Sequence, residues 1–388
     1  MSLIRVSVVP IEFFEVELRS RFESAVVQGS TFVPSESGSL NRTFQELCDF
    51  SPRILKSRKQ DDASLVAFYG SSACFIRIME IPDWKPSLQS VQSELSSRRQ
   101  IHQRLIASGD DLFGVSLSKF FDKETAKQHY RILINYVFSF YIYRTETKPS
   151  PDEIASLKLL SEPSLLDLDD MISAGSHCDW ADCKLDDPKL KAAMEAIRDV
   201  DLAPDVTTFV TWASIVAIDR TTGRRTARTF DLLVALETRL QMLWNRCFAF
   251  SNLSDTILSQ KMAVAIDVDK FFWQLARTYD DAQGMLAATS SSRANRLFDH
   301  MIETSGLQRE IARLQGKVML MEQFVRWRNE RRDSRYRKTV EVLLFFAALS
   351  QVVPIFFSLP LLPSNLWGTI TMGALLVAGL LAIVRRRA

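Results

Sequence analysis

Residues 339–359 read TVEVLLFFAALSQVVPIFFSL, and residues 366–384 read LWGTITMGALLVAGLLAIV. Each stretch has about 20 residues, and a helix of that length, rising about 1.5 Å per residue, crosses the roughly 30 Å hydrocarbon core of a bilayer. The turn Pro363-Ser364-Asn365 directly precedes the second stretch. The two stretches therefore predict a pair of C-terminal transmembrane helices.

Basic residues flank this predicted hairpin on both sides. Residues 326–338 include seven basic and two acidic residues, and residues 385–387 are all arginine. Because Lys and Arg accumulate in cytoplasmic loops, both termini are expected to be cytoplasmic, in an inner or plasma membrane. We define the basic collar by Arg328, Arg331, Arg332 and Arg335. In an oligomer the basic collar would repel cations at the inner mouth of a pore. Alternatively, it marks topology and holds anionic headgroups of the lipid bilayer.

The composition of the chain limits the classes of protein to which it can belong. The roughly 340 residues before the apolar stretches suffice for one large or two modest cytosolic domains. A balance of 48 basic against 46 acidic residues gives a net charge of +2, so no nucleic-acid partner is expected. The N-terminus lacks the features of a secretory signal. Five scattered cysteines are typical of a reducing compartment, with free thiols and no disulfides.

Extended patterns dominate the first part of the chain. Residues 64–69 and 72–78, joined at Gly70, predict a β-hairpin because β-branched and aromatic residues flank a glycine turn. Residues 132–143 and 206–218 each predict one further buried strand.

The pattern becomes helical from Thr229 onward, where leucines recur every three or four residues. The predicted fold class is an α+β cytosolic domain followed by a long stalk helix and two C-terminal transmembrane helices. The predicted boundaries are 1–255 for the α/β domain, 256–338 for the helical stalk and 339–388 for the hairpin.

A heptad-like repeat precedes the first apolar stretch. Its members are Leu307, Ile311, Leu314, Val318, Met321 and Val325. Spacings of three and four residues are typical of a seam that mediates self-association. The alternative is an ordinary amphipathic helix packed on its own subunit. Without glycine or proline between Lys317 and Thr339, one helix is expected to continue into the apolar stretch.

One face of the first apolar stretch differs from the rest. Its members are Glu341, Ala348, Gln351, Ile355 and Ser358. Small and polar residues on one face indicate either a water-facing pore lining or packing between helices. An amide such as that of Gln351 needs a hydrogen-bond partner in lipid, which both alternatives supply.

The order of the predicted parts resembles that of a known family. Pro354 stands nine residues before Pro363, which opens the turn at 363–365. A cytosolic α/β domain, a long helix, two terminal membrane helices and a basic tail together resemble the CorA family of divalent-cation channels and transporters. In that family a Gly-Met-Asn motif occupies the place of this turn. Asn365 matches its asparagine, whereas the glycine and methionine are absent.

The resemblance implies an oligomeric ion channel or transporter, gated by its cytosolic domain and assembled as a homopentamer. It implies that the first membrane helix lines the pore and that Ser364 and Asn365 form the outer mouth. It also implies Mg²⁺ or another divalent cation as the permeant or regulatory ion. The alternative functions are a membrane effector or signalling protein, whose cytosolic domain senses a ligand and perturbs the membrane, and an anchor without conduction.

Other candidate sites are weaker. Residues 177–183 contain two cysteines, one histidine and two aspartates, but they lack the paired spacing of a zinc site. Asp267 and Asp269 are candidate interface carboxylates of a CorA-like assembly, and the alternative is that they are solvated surface residues. A small anionic ligand could bind the arginines at 224, 225 and 228, where the alternative is a solvated turn. No nucleotide-binding glycine pattern or nucleophile–base pair is recognisable, so no enzymatic activity is expected.

Overall fold

A computed structural model describes residues 1–13, 16–28, 32–34, 39–48, 52–57, 63–108, 132–134, 138–162, 188–259, 267–286 and 292–358. The chain divides into two compact units, Met1–Glu322 and Gln323–Ala388. The first unit contains a mixed β-sheet with packed helices, and the second contains the distal part of the last helix.

Ten strands in the described residues form one sheet. They are β1 (Ser2–Phe13), β2 (Phe32–Pro34), β3 (Arg53–Ser57), β4 (Ala63–Tyr69), β5 (Ser72–Pro82), β6 (Ile132–Ile134), β7 (Phe138–Arg144), β8 (Asp199–Ala203), β9 (Val206–Val210) and β10 (Ile215–Asp219). Their order is β2-β3-β4-β5-β1-β7-β10-β9-β8, and β6 pairs with the end of β1. The β7–β10 pair is parallel and the other described pairs are antiparallel.

Nine helices are described. They are α1 (Val16–Gln28), α2 (Ser39–Cys48), α3 (Leu88–Ser108), α4 (Pro151–Ser161), α5 (Pro188–Ala196), α6 (Arg224–Leu258), α7 (Val268–Leu286), α8 (Ser292–Thr304) and α9 (Leu307–Ser358). The 35-residue α6 contacts β1, β5, α2 and α7 and is buried along most of its length. The 52-residue α9 is the longest described helix.

Strand β1 lies at the centre of the core. From Leu3 to Phe13 every residue is buried, because helices cover both faces of the sheet at this strand. Successive side chains of a strand point to opposite faces. Arg5 accordingly pairs with Glu94 of α3 on one face, and Glu12 lies near Arg246 of α6 on the other.

The contact at Glu12 joins three parts of the first unit. Its carboxylate accepts hydrogen bonds from the hydroxyls of Ser71 and Ser72 in the β4–β5 hairpin. Arg246 lies 3.9 Å from Glu12 and 3.2 Å from Asp281 of α7. Burial raises the pKa of Glu12, while the guanidinium and the two hydroxyls oppose that rise. The cluster ties α6 and α7 to the sheet.

The strand predictions are confirmed in part. β4 and β5 pair around Gly70, which has a positive φ of 57°, so the predicted hairpin is confirmed. The prediction of one strand over 206–218 is wrong, because β9 and β10 form a hairpin turning at 211–214. The prediction of one strand over 132–143 is also wrong, since β6 and β7 pair with different parts of β1.

The heptad-like repeat packs within its own subunit. Leu307, Ile311, Leu314 and Met321 are buried in the first unit. The alternative of an ordinary amphipathic helix is therefore confirmed for this part of α9. The expected continuation of the helix is also present, since α9 runs without interruption to Ser358.

The prediction of two C-terminal transmembrane helices is wrong for the part of the chain that the structure describes. None of its helices is both long enough and apolar enough to cross a bilayer. The first apolar stretch lies in α9, where seven basic residues at 326–338 immediately precede it and Glu341 falls inside it. The second stretch, 366–384, lies outside the described residues.

Five predictions required these helices and are corrected with them. They are the CorA-like fold class with two transmembrane helices, the ion channel or transporter function, the membrane-effector alternative, the alternative of an anchor without conduction, and the location in an inner or plasma membrane with cytoplasmic termini. The physical reason is that, within the described residues, the charge-free apolar stretch begins after Glu341 and ends with α9 at Ser358, which is shorter than the about 20 residues that a spanning helix needs.

Candidate functional site

A cavity of about 420 Å³ opens beside the β9–β10 turn. Its walls come from four places in the first unit: the end of α4, the end of α5, the turn at 210–212 and the last turn of α8. The polar and aromatic side chains lining it are Glu162, Arg198, Thr211, Trp212, His300, Glu303 and Thr304. Its volume lies within the range of about 300–1,000 Å³ that is typical of small-molecule pockets.

The β9–β10 turn owes its shape to a threonine. The hydroxyl of Thr211 donates to the carbonyl of Ser161 at 2.5 Å and accepts from the backbone N–H groups of Ala213 and Ser214 at 3.3 Å each. These bonds hold the turn against the end of α4. The indole of Trp212, at the tip of the turn, remains 59 % exposed at the cavity.

A lysine fixes the opposite wall. The ammonium of Lys158 donates to the carbonyls of Met194 and Ile197, at 3.0 and 3.3 Å, where α5 ends. A cation at a helix C-terminus satisfies carbonyls that have no partner within the helix. Arg198 follows directly and lines the cavity with an exposed side chain. Glu162, which follows α4, is buried in the same wall.

Helix α8 supplies the remaining polar groups. His300 Nδ1 lies 3.9 Å from the carboxylate of Glu303, one turn further along the helix. The Nε2 atom of His300 is buried and has no hydrogen-bond partner among the described residues. The hydroxyl of Thr304 donates a hydrogen bond to the carbonyl of His300, and this bond fixes the side chain of Thr304. The imidazole of His300 therefore lines the cavity with one ring nitrogen that is shielded from solvent.

The chemistry of the cavity is mixed rather than apolar. It combines two carboxylates, one guanidinium, one imidazole and a broad indole face. A guanidinium binds a carboxylate through two parallel hydrogen bonds, and carboxylates beside an aromatic ring bind an ammonium group. The cavity can therefore hold a small molecule that carries both charges.

The predicted pore-lining residues are only partly described. Glu341 and Ala348 have exposed side chains on α9. Gln351, Ile355 and Ser358 belong to the same helix, but their side chains lie outside the described part. Ser364 and Asn365, the predicted outer mouth, also lie outside the described residues. Of the described residues, Glu341 and Ala348 do not line the cavity.

The basic collar lies on α9 in the second unit. Arg331, Arg332 and Arg335 are exposed, and Arg328 is half-buried. The guanidinium of Arg331 lies 5.1 Å from the centre of the Trp327 ring, a cation–π contact.

Two other predicted sites are separate from the cavity. Arg224, Arg225 and Arg228 are exposed in the first turns of α6. Asp267 accepts a hydrogen bond from the backbone N–H of Lys270 at 3.1 Å and thereby caps α7, in whose first turn Asp269 lies.

The predicted metal ligands at 177–183 lie outside the described residues. Within the described ranges, no group of three or more His, Cys, Asp or Glu side chains has the arrangement of a metal site. Mg²⁺ or another divalent cation as a regulatory ion stays a prediction.

The sequence matches no known family profile, no curated protein and no solved structure. The resemblance to the CorA family and the homopentamer it implies stay predictions.

Sequence reasoning missed this site. Trp212 and His300 are 88 positions apart, and neither belongs to a recognisable motif. The available signal was Trp212 itself, which lies in the middle of the predicted strand 206–218, between Thr211 and Ser214. This is an unusual place for a large apolar side chain.

Proposed function

We propose that this protein binds a small amphoteric molecule, one with the ammonium and carboxylate groups of an amino acid, in the cavity beside the β9–β10 turn. The observation that carries the proposal is the convergence of Arg198, Glu303, His300 and Trp212 on one cavity of about 420 Å³. The proposed activity is binding rather than chemical conversion.

The two charges of the ligand have separate partners in this arrangement. Arg198 takes the carboxylate, because its planar guanidinium matches a carboxylate with two hydrogen bonds. The carboxylate of Glu303 takes the ammonium group, and the Trp212 ring adds a cation–π contact worth about 0.5–1 kcal/mol at exposed sites. The imidazole of His300 lines the same cavity.

The place of the cavity in the chain gives binding a structural output. Glu303 and Thr304 are the last residues of α8, and α9 begins at Leu307 after a two-residue turn. A ligand that contacts the end of α8 acts directly on this turn. Binding is therefore expected to shift the populations of the conformations that this turn and the first residues of α9 adopt.

The proposal is tested by calorimetric titration of the full-length protein with individual L-amino acids, their methyl esters and their N-acetyl derivatives. The intact amino acids are expected to bind more tightly than either derivative, since each derivative lacks one charge. Arg198→Gln is expected to abolish the advantage of the amino acid over its ester. Glu303→Gln is expected to abolish its advantage over the N-acetyl form.

Matched control variants remove the same charges elsewhere. Arg277→Gln on α7 and Glu330→Gln on α9 change exposed residues outside the cavity and are expected to leave binding unchanged. Absence of binding for every compound would contradict the proposal. Equal losses in the cavity and control variants would contradict it as well.

A further inference from the structure

The second unit carries an unbalanced charge that the proposed cavity does not use. At about 3.6 residues per turn, the basic collar and Lys338 fall within roughly one third of the helix circumference. We define these five residues as the cationic face: Arg328, Arg331, Arg332, Arg335 and Lys338. Four of the five are exposed, and Arg328 is half-buried.

The opposite side of the same helix segment is balanced. Arg326 stands four residues before Glu330, and Asp333 stands four residues before Arg337. Oppositely charged side chains at this spacing are neighbours on a helix surface. All seven basic and both acidic residues of 326–338 are thereby assigned to one of two sides, and only the cationic face lacks acidic residues.

Large aromatic side chains accompany these charges. Trp327 is 47 % exposed and borders the cationic face, where Arg331 lies over its ring. Tyr336 is 71 % exposed. Leu343 and Leu344 expose more than half of their surface one to two turns further on. Six of the seven basic residues are arginine. Arg, Trp and Tyr are the residues that dominate binding energy in protein–protein interfaces.

We propose that the cationic face of α9 docks into an acidic groove of another protein, with Trp327 as an aromatic anchor. Charge complementarity selects this partner, because the guanidinium group of arginine forms two parallel hydrogen bonds with a carboxylate. A helix that binds in a groove is a common mode of protein recognition. Side-by-side pairing with the same helix of a second copy is disfavoured, because it would bring like charges together.

The experiment measures binding of the full-length protein to poly-L-glutamate by fluorescence anisotropy, at low and at high salt. Arg331→Gln/Arg335→Gln removes two charges from the cationic face. Arg326→Gln/Arg337→Gln removes two charges from the balanced side of the same helix and is the matched control. Circular dichroism verifies that both variants keep the helix content of the parent protein.

The proposal predicts that Arg331→Gln/Arg335→Gln weakens binding at least about tenfold, equivalent to about 1.4 kcal/mol, whereas the control changes it much less. High salt is expected to weaken binding of the parent protein, since exposed charges are screened. Equal losses in both variants would overturn the proposal. Binding to phosphatidylserine vesicles without binding to poly-L-glutamate would also overturn it, as would self-association that depends on the cationic face.

Discussion

Glu237 is a buried acid whose pKa lies well above that of a carboxyl group in water. It lies on α6 with no exposed surface, and its one described partner is Gln241, whose amide donates to it at 2.7 Å. Burial raises the pKa of Glu237 from 4.5 to about 8. The native state therefore keeps a proton that the unfolded chain releases above pH 4.5. Stability from this group is present at low pH and is lost as the pH rises through about 8.

Glu237→Gln is expected to remove this pH dependence, because the amide imitates the protonated acid. The free energy of unfolding of the parent, relative to that of the variant, is expected to fall by about 1.4 kcal/mol per pH unit between these limits. Urea denaturation of both proteins across this range measures the difference. Parallel curves would show that Glu237 is ionised in the native state.

Arg5 and Glu94 form a buried ion pair with a different expected behaviour. Their atoms Nη1 and Oε1 are 2.7 Å apart, and Arg5 also donates to Ser97 at 3.0 Å. Burial raises the pKa of Glu94, and Arg5 opposes that rise. Arg5→Met is expected to cost about 3–5 kcal/mol, since it leaves a buried carboxylate without its partner. Arg5→Met/Glu94→Leu is expected to recover most of that loss in urea denaturation. A double variant no more stable than Arg5→Met would contradict this account.

At the scale of the elements, Gly306 connects the cavity to α9. Its φ of 70° is left-handed, and it follows the last turn of α8 as the residue that ends the helix. A Cβ at this position would meet no atom within 4 Å, so a substitution has a conformational cost only. Gly306→Ala is expected to destabilise the protein by about 1–2 kcal/mol, and Gly306→Asn by less. Thermal unfolding compares the two. Equal stability of Gly306→Ala and the parent would show that the turn has another conformation in solution.

The elements that sequence reasoning found are those with local signals. Gly70 marked the β4–β5 hairpin because glycine accepts a positive φ, and the leucine spacing from Thr229 marked α6. The β9–β10 turn was missed because it contains no Gly, Pro, Asn or Asp. Its shape depends on a hydrogen bond from Thr211 to Ser161, 50 residues earlier in the chain. The cavity was missed for the same reason, since its walls meet only through tertiary structure.

At the scale of the whole molecule, the near-neutral net charge hides an uneven distribution. Residues 323–388 hold ten basic and three acidic residues, a formal charge of +7. The remaining 38 basic and 43 acidic residues give Met1–Glu322 a formal charge of −5. The overall +2 therefore gave no indication of the cationic face. The local run of basic residues at 326–338, rather than the overall charge, marked this region in the sequence.

Stability is expected to be as uneven as charge. α6 is buried on most sides in the first unit, whereas no described side chain of α9 after Met321 is buried. A helix gains most of its stability from packing, so an unpacked segment opens at low cost. Hydrogen exchange measured by mass spectrometry is therefore expected to be at least about 100-fold slower in α6 than in residues 323–345.

The concentration dependence of that exchange separates the possible causes of protection. Fast exchange in 323–345 at every protein concentration is the expected result for a segment that stays uncovered until a different protein binds it. Exchange that slows as the protein is concentrated would mean that copies of this chain cover one another there, as the homopentamer prediction requires. Slow exchange at every concentration would mean that the segment packs within one chain, and the cationic face would then be unable to enter a groove.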